Sequence, residues 1–103
     1  MKVELKKFGE ILTSRPSGRE AGLAIKAYFK PEPGDRIKLD FGGVLAMGPS
    51  WLDEVLTLLR SEYGKDRVIC LPSENASVVE SLIYQCETIK IDGLKVSVST
   101  ISQ

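Results

Sequence analysis

The sequence predicts a single α/β domain over residues 1–103, built on a four- or five-stranded mixed sheet with about three helices. Three observations carry this expectation. Short apolar runs of strand length alternate with segments whose apolar residues recur at helical spacing, the pattern of a largely parallel or mixed sheet covered by helices. Glycines, prolines and capping serines stand at the junctions between them. The chain is 43% hydrophobic and 27% charged, and at this length folding buries roughly two-thirds of the chain's surface, so one core suffices without staples.

Val3 to Phe8 alternates through Val3, Leu5 and Phe8 and predicts an edge strand with one wet face, which Ile11 and Leu12 prolong beyond Gly9. Thr13 to Gly18 is a polar loop. Pro16 suits a first helical turn, and Ser14 or Ser17 can cap it. Ala21, Ala24, Ile25, Tyr28 and Phe29 mark one face of the helix that follows. Its small residues Ala21, Gly22, Ala24 and Ala27 predict close packing on a sheet. Pro31, Pro33 and Gly34 end it.

Ile37 to Phe41 is a second apolar run of strand length, followed by the glycine turn Gly42-Gly43 and then by Gly48-Pro49. Ser50 stands where a helix N-cap is expected, with Asp53 three residues on, as in a capping box. On this reading Asp53 and Glu54 put negative charge in the first turn, where the helix dipole favours it. Leu52, Val55, Leu56, Leu59 and Tyr63 form the apolar face, and Gly64 closes the helix. Arg67 to Leu71 is a short strand that Pro72 stops. Ser73 opens a third helix with Ala76 at its N3 position, and Val78, Val79, Leu82 and Ile83 form its apolar face. Thr88 to Ile91 and Leu94 to Ile101 flank Asp92-Gly93, a two-residue hairpin signal of type I′. The alternative is a single last strand, Lys95 to Ile101.

Composition narrows the function. Lysine plus arginine equals aspartate plus glutamate at 14 each, which argues against a nucleic-acid-binding face. The chain has no histidine, so the commonest general base and metal ligand is missing. Cys70 and Cys86 are too far apart for a CxxC site and read as buried or half-buried thiols. The opening stretch MKVELKKFGE lacks a signal-peptide h-region, and no apolar run approaches the roughly 20 residues of a membrane span. A cytoplasmic location is the expectation.

Two segments resemble a known family. Ile11 to Ile25 (ILTSRPSGREAGLAI) and Leu39 to Leu56 (LDFGGVLAMGPSWLDEVL) look like the STAS-like domain family of unknown function. The resemblance rests on Ser14-Arg15 before a helix, Asp40-Phe41 at a strand end, Gly43-Val44, and Trp51 with Asp53-Glu54. The central stretch is also similar to the STAS domains of anti-sigma factor antagonists. There an Asp-Ser-Ser-Gly loop precedes the helix, its first serine is phosphorylated by a histidine-kinase-like ATPase, and the unphosphorylated form binds that partner. Here the aspartate position holds Gly48, the phosphorylated serine position holds Pro49, and Ser50 falls on the second serine. Pro49 has no hydroxyl, so the family's usual switch is not carried over.

What the resemblance implies is a non-catalytic protein-interaction module of bacterial signalling. Its partner would be a histidine-kinase-like ATPase or an anti-sigma factor, with no cofactor, metal, nucleic acid or membrane, and the chain would be a monomer or weak homodimer. The docking set is Arg15, Gly43, Met47, Ser50, Trp51 and Asp53. Ser50 reads first as a helix cap and second as a phosphorylation site. Arg15 is either a partner contact or the mate of a nearby carboxylate. Trp51 is either a buried anchor, the favoured reading, or an exposed contact. Met47 is core or a partner-facing contact, and Asp40 bonds its own loop backbone. The alternative function is a small nucleotide- or metabolite-binding protein or enzyme using the same loop ends, against which stand the absent phosphate-loop glycines and paired reactive groups.

Overall fold

Val3 and Leu5 are both buried, yet they do not share a strand. In the computed structural model, which describes residues 1–85, 88–92 and 95–99 (side chains through residue 83), the first strand, β1, is only Lys2–Glu4. A 3-10 turn over Leu5–Phe8 follows and folds Leu5 into the core. Ile11–Leu12 is then a separate strand, β2, and not a prolongation of the first. The remaining elements are helix α1 (Arg15–Tyr28), strands β3 (Ile37–Asp40) and β4 (Ala46–Met47), helix α2 (Pro49–Tyr63), strand β5 (Val68–Ser73), helix α3 (Ala76–Gln85) and strands β6 (Thr88–Asp92) and β7 (Lys95–Ser99).

The strands form two sheets. The larger is five-stranded and mixed, in the order β1-β3-β5-β7-β6. β1, β3 and β5 are parallel, and β7 and β6 run antiparallel to their neighbours. The N-terminal strand lies at an edge, as its lysines predict. The second sheet is the parallel pair β2-β4. This α/β architecture is the expected class, with β4 and the second sheet as unforeseen additions.

Both long helices start from that small sheet. β2 runs into α1 across Thr13 and Ser14, and β4 runs into α2 across Gly48. Ser14 caps α1 by accepting a hydrogen bond from Ser17 N at 3.2 Å, and Pro16 sits in the first turn, where its missing N–H costs nothing. At the start of α2 the cap is Gly48, with no side-chain bond, and Pro49 is the first helical residue. Ser50 is therefore inside the helix, not its cap. Proline's fixed φ claims the first position, and no capping box forms. Asp53 and Glu54 fall beyond the first turn. At the far end Gly64, with φ 94°, closes α2 as expected.

α1 packs chiefly on α2, not on a sheet as its small residues predicted. Gly18, Ala21, Gly22 and Ile25 are buried in this seam, while Tyr28, placed by periodicity on the apolar face, is 82% exposed at the helix end. Tyr63 is half-buried and donates from its hydroxyl to Phe29 O at 3.2 Å, tying the C-terminal ends together. One core cluster gathers Val3, Leu5, Leu12, Ile37, Leu39, Phe41, Trp51 and the apolar face of α2.

β5 continues through Pro72, the stop expected from the sequence. Its register with β7 shifts between Cys70 and Ser73, so the missing proline N–H falls in an irregular stretch where no ladder bond is lost. Ser73 consequently ends the strand, and Asn75 caps α3 by accepting from Ser77 N and Val78 N. Val78 and Leu82 are buried, whereas Ile83 is half exposed. β6 and β7 form the antiparallel pair of the hairpin reading, but Asp92 pairs with Lys95. Asp92 is thus a strand residue, and Gly93 and the turn type lie outside the described residues. Cys70 is buried; Cys86 also lies outside them.

Candidate functional site

The parallel pair β2-β4 sets the geometry. Leu45 N and Ala46 N donate to Glu10 O at 2.9 and 3.1 Å, and Gly48 N donates to Leu12 O at 2.8 Å. These bonds bring the starts of α1 and α2 side by side. A Cβ at Gly48 would stand 3.4 Å from Thr13 O, so the two chain segments run in contact there.

Three of the six expected docking residues meet at this junction. The Arg15 guanidinium donates to Asp53 Oδ2 at 2.8 Å and to Glu54 Oε2 at 2.9 Å, so Arg15 mates with nearby carboxylates and joins the two helices. Its pKa is raised above the ordinary arginine value by these bonds, Asp53 first and Glu54 second. A raised pKa stabilises the fold below the unfolded-state value and loses that only as pH climbs past it, so the arginine side of this cluster is constant across the neutral range. The arginine is about half exposed, and exposed pairs are weak and screened. Arg15→Ala is expected to lower the melting temperature only slightly, with the difference from wild type shrinking as salt is added; thermal melts at two ionic strengths check this.

Trp51 is wholly buried, and its indole Nε1 donates to Ser17 Oγ at 3.1 Å. It is a support beneath the junction and offers no surface to a partner. Met47 is buried at 4% exposure and likewise belongs to the core. Ser50, half-buried in the first turn of α2, is next to this junction. Gly43 is separate: it occupies the third position of a turn closed by Val44 N to Phe41 O at 3.2 Å. Its φ of 86° favours glycine, and a Cβ there would stand 2.9 Å from Lys6 Cδ. Asp40 Oδ1 accepts from Gly42 N at 3.0 Å, the loop-bonding role expected of it.

Sequence reasoning missed the residues that are on display. Ile11, on β2, is 61% exposed and Leu45, the residue before β4, is 62% exposed, with Leu45 flanked by buried Val44. The signal was present: Val44 to Met47 is a continuous apolar run after two glycines, the mark of a short strand. Asn75, which donates to Val44 O and Leu45 O at 2.9 and 3.0 Å, was also missed. Among the described residues no group of three metal-ligating side chains converges, and no helix is long and apolar enough to cross a membrane.

The comparisons with known proteins bear on this same segment. The family described as a STAS-like domain of unknown function (DUF4325) matches residues 23–71. That span runs from the middle of α1 through β3, the glycine turn, β4 and α2 into β5, and it begins after Ser14-Arg15. No curated protein and no solved structure matches the chain.

Proposed function

We propose that this chain, which matches a STAS-like domain of unknown function over residues 23–71, is a non-catalytic interaction module that docks a protein partner through the β3–α2 loop and the start of α2. The observation that carries the reading is that two large apolar side chains are left in solvent near the helix starts, Ile11 on β2 and Leu45 just before β4. Leu45 is held by its bond to Glu10 O and by Asn75, and Ile11 by its pairing with β4, so a partner covers them without first ordering them. Arg15, Asp53 and Ser50 supply the polar contacts at the helix starts, and Gly43 shapes the separate turn before Val44. The resemblance to anti-sigma factor antagonists names the partner class: a histidine-kinase-like ATPase or an anti-sigma-type regulator, in a bacterial cytoplasm. Mechanism is then competition for that partner, governed by affinity. Pro49 stands at the position of the usual phosphorylated serine and Ser50 at that of the second; phosphorylation of Ser50 would place new charge near Asp53 and Glu54.

The test is affinity capture from the native cell with Leu45→Asp and Ile11→Asp, each checked by circular dichroism. Both substitutions sit on exposed positions, so the variants are expected to melt with wild type and to lose an ATPase-like regulator that wild type retains. Tyr28→Ser is the control. It alters an exposed residue at the other end of α1, about 20 Å along the helix axis, and should leave capture unchanged. Retention of the regulator by both Asp variants overturns the assignment.

The alternative is a nucleotide- or metabolite-binding role at the same loop ends. Saturable binding of ATP in calorimetry, abolished by a change in the β3–α2 loop, would establish it. An open groove among the described residues lies elsewhere, between the C-terminal ends of α1 and α2, lined by Leu23, Lys26, Lys30, Glu62 and Tyr63. There Lys26 is paired with Glu62 at 3.1 Å.

A further inference from the structure

The segment that carries Leu45 is held by polar side chains from the start of α3. Asn75 Oδ1 accepts from Ser77 N at 2.9 Å, Ser77 Oγ at 2.7 Å and Val78 N at 3.3 Å. Its Nδ2 donates to Val44 O at 2.9 Å and to Leu45 O at 3.0 Å. Ser77 Oγ accepts from Met47 N at 3.1 Å, and the buried Ser81 Oγ lies 3.0 Å from Met47 O. Two carbonyls and one N–H of residues 44–47 are therefore bonded by the cap and first turn of α3, with Ser81 Oγ in reach of a third carbonyl, where a longer strand would have found them a backbone partner. The two ends of the Asn75 amide do separate work. The oxygen caps α3, and the two hydrogens of the nitrogen point at two loop carbonyls, the one orientation in which every donor meets an acceptor.

We infer that Asn75 is the positioning residue of this loop, and that α3 sets the shape in which Leu45 is presented. The functional consequence rests on the docking reading above; the coupling itself does not. Asn75→Asp separates the two roles. Aspartate is as good an N-cap as asparagine, so α3 stays capped. Its second oxygen, however, replaces a donor with an acceptor facing two carbonyl oxygens, and the loop must move off.

Amide hydrogen exchange on the whole chain reads this directly. In Asn75→Asp the amides of Leu45, Ala46 and Gly48 are expected to exchange roughly tenfold faster or more, the scale of one lost hydrogen bond, while the α3 amides keep wild-type protection. Unchanged loop exchange overturns the inference. So does equal acceleration of the loop and α3, since Asn75 would then act only as a cap. If the variant does not fold, Ser77→Ala serves: the Met47 amide should lose protection selectively, and its retention counts against the coupling. A freed loop with undiminished capture of the regulator would overturn the docking reading and leave the positioning role standing.

Discussion

Replacing Gly18 by alanine is expected to destabilise the protein by about 3 kcal/mol, although the same change in an exposed helix interior stabilises by up to about 1 kcal/mol. The sign is decided by the α1–α2 seam. A Cβ at Gly18 would lie 2.5 Å from Trp51 O and 2.9 Å from Trp51 Cα. Both are backbone atoms of α2, so no rotamer change relieves the collision and the helices must part. The seam then loses contacts on both sides, and the Arg15 bridge to Asp53 and Glu54 lengthens with it. Gly22 provides the graded comparison. Its Cβ would meet Leu58 Cδ1 at 2.7 Å, the far end of a flexible, half-exposed side chain that can swing away. Gly22→Ala should therefore cost clearly less. Urea denaturation of both variants, with melting temperatures alongside, checks the pair. For a chain this size the Gly18 loss corresponds to a drop of roughly 10–20 °C. Equal effects at the two glycines would refute the close approach at Gly18.

The sequence was most informative where a local rule had no competitor. Of the two expected candidates Ser14 caps α1, Gly64 closes α2, and Leu52, Val55, Leu56 and Leu59 lie on the buried face their spacing predicted. Asp40 bonds its own loop because that needs only the next turn of chain. Readings failed where two local rules met. Ser50 was a good cap by type, but Pro49 prefers the first helical position, which moves the cap to Gly48 and carries Asp53 and Glu54 beyond the first turn. Ser73 and Asn75 competed for the start of α3, and Asn75 won because its amide also binds the loop across 31 residues of sequence. Pro72 did not stop β5 because a register shift absorbs it.

The rest was tertiary. Nothing local says that the small residues of α1 face a helix instead of a sheet, or that Arg15 meets carboxylates 38 and 39 residues away. The proposed docking set could be drawn from the sequence only as a region, not as a surface. Of its residues Met47 and Trp51 face inward, and Leu45 and Ile11 are large apolar side chains left exposed nearby. A list of residues along one loop mixes both faces of the chain, and the pairing of β2 with β4 decides which side each one shows.

Trp51→Ala is expected to cost about 3–5 kcal/mol. The indole is completely buried, fills the space under the junction of the two helix starts, and gives Ser17 Oγ its hydrogen bond; aromatic side chains of this size bury roughly 150–250 Å² each. A protein with the usual margin of about 5–15 kcal/mol would keep little of it. Trp51→Phe should retain most of the stability, losing the hydrogen bond and part of the ring, by about 1–2 kcal/mol. This ordering governs how docking experiments are read. Loss of a partner in Trp51→Ala reports a damaged fold, whereas its loss in Leu45→Asp at unchanged melting temperature reports a damaged surface. Chemical denaturation of the alanine and phenylalanine variants, run beside capture, separates the two. Should Trp51→Ala melt with wild type yet fail to bind, the tryptophan is itself a partner contact, and the start of α2 must open to expose it.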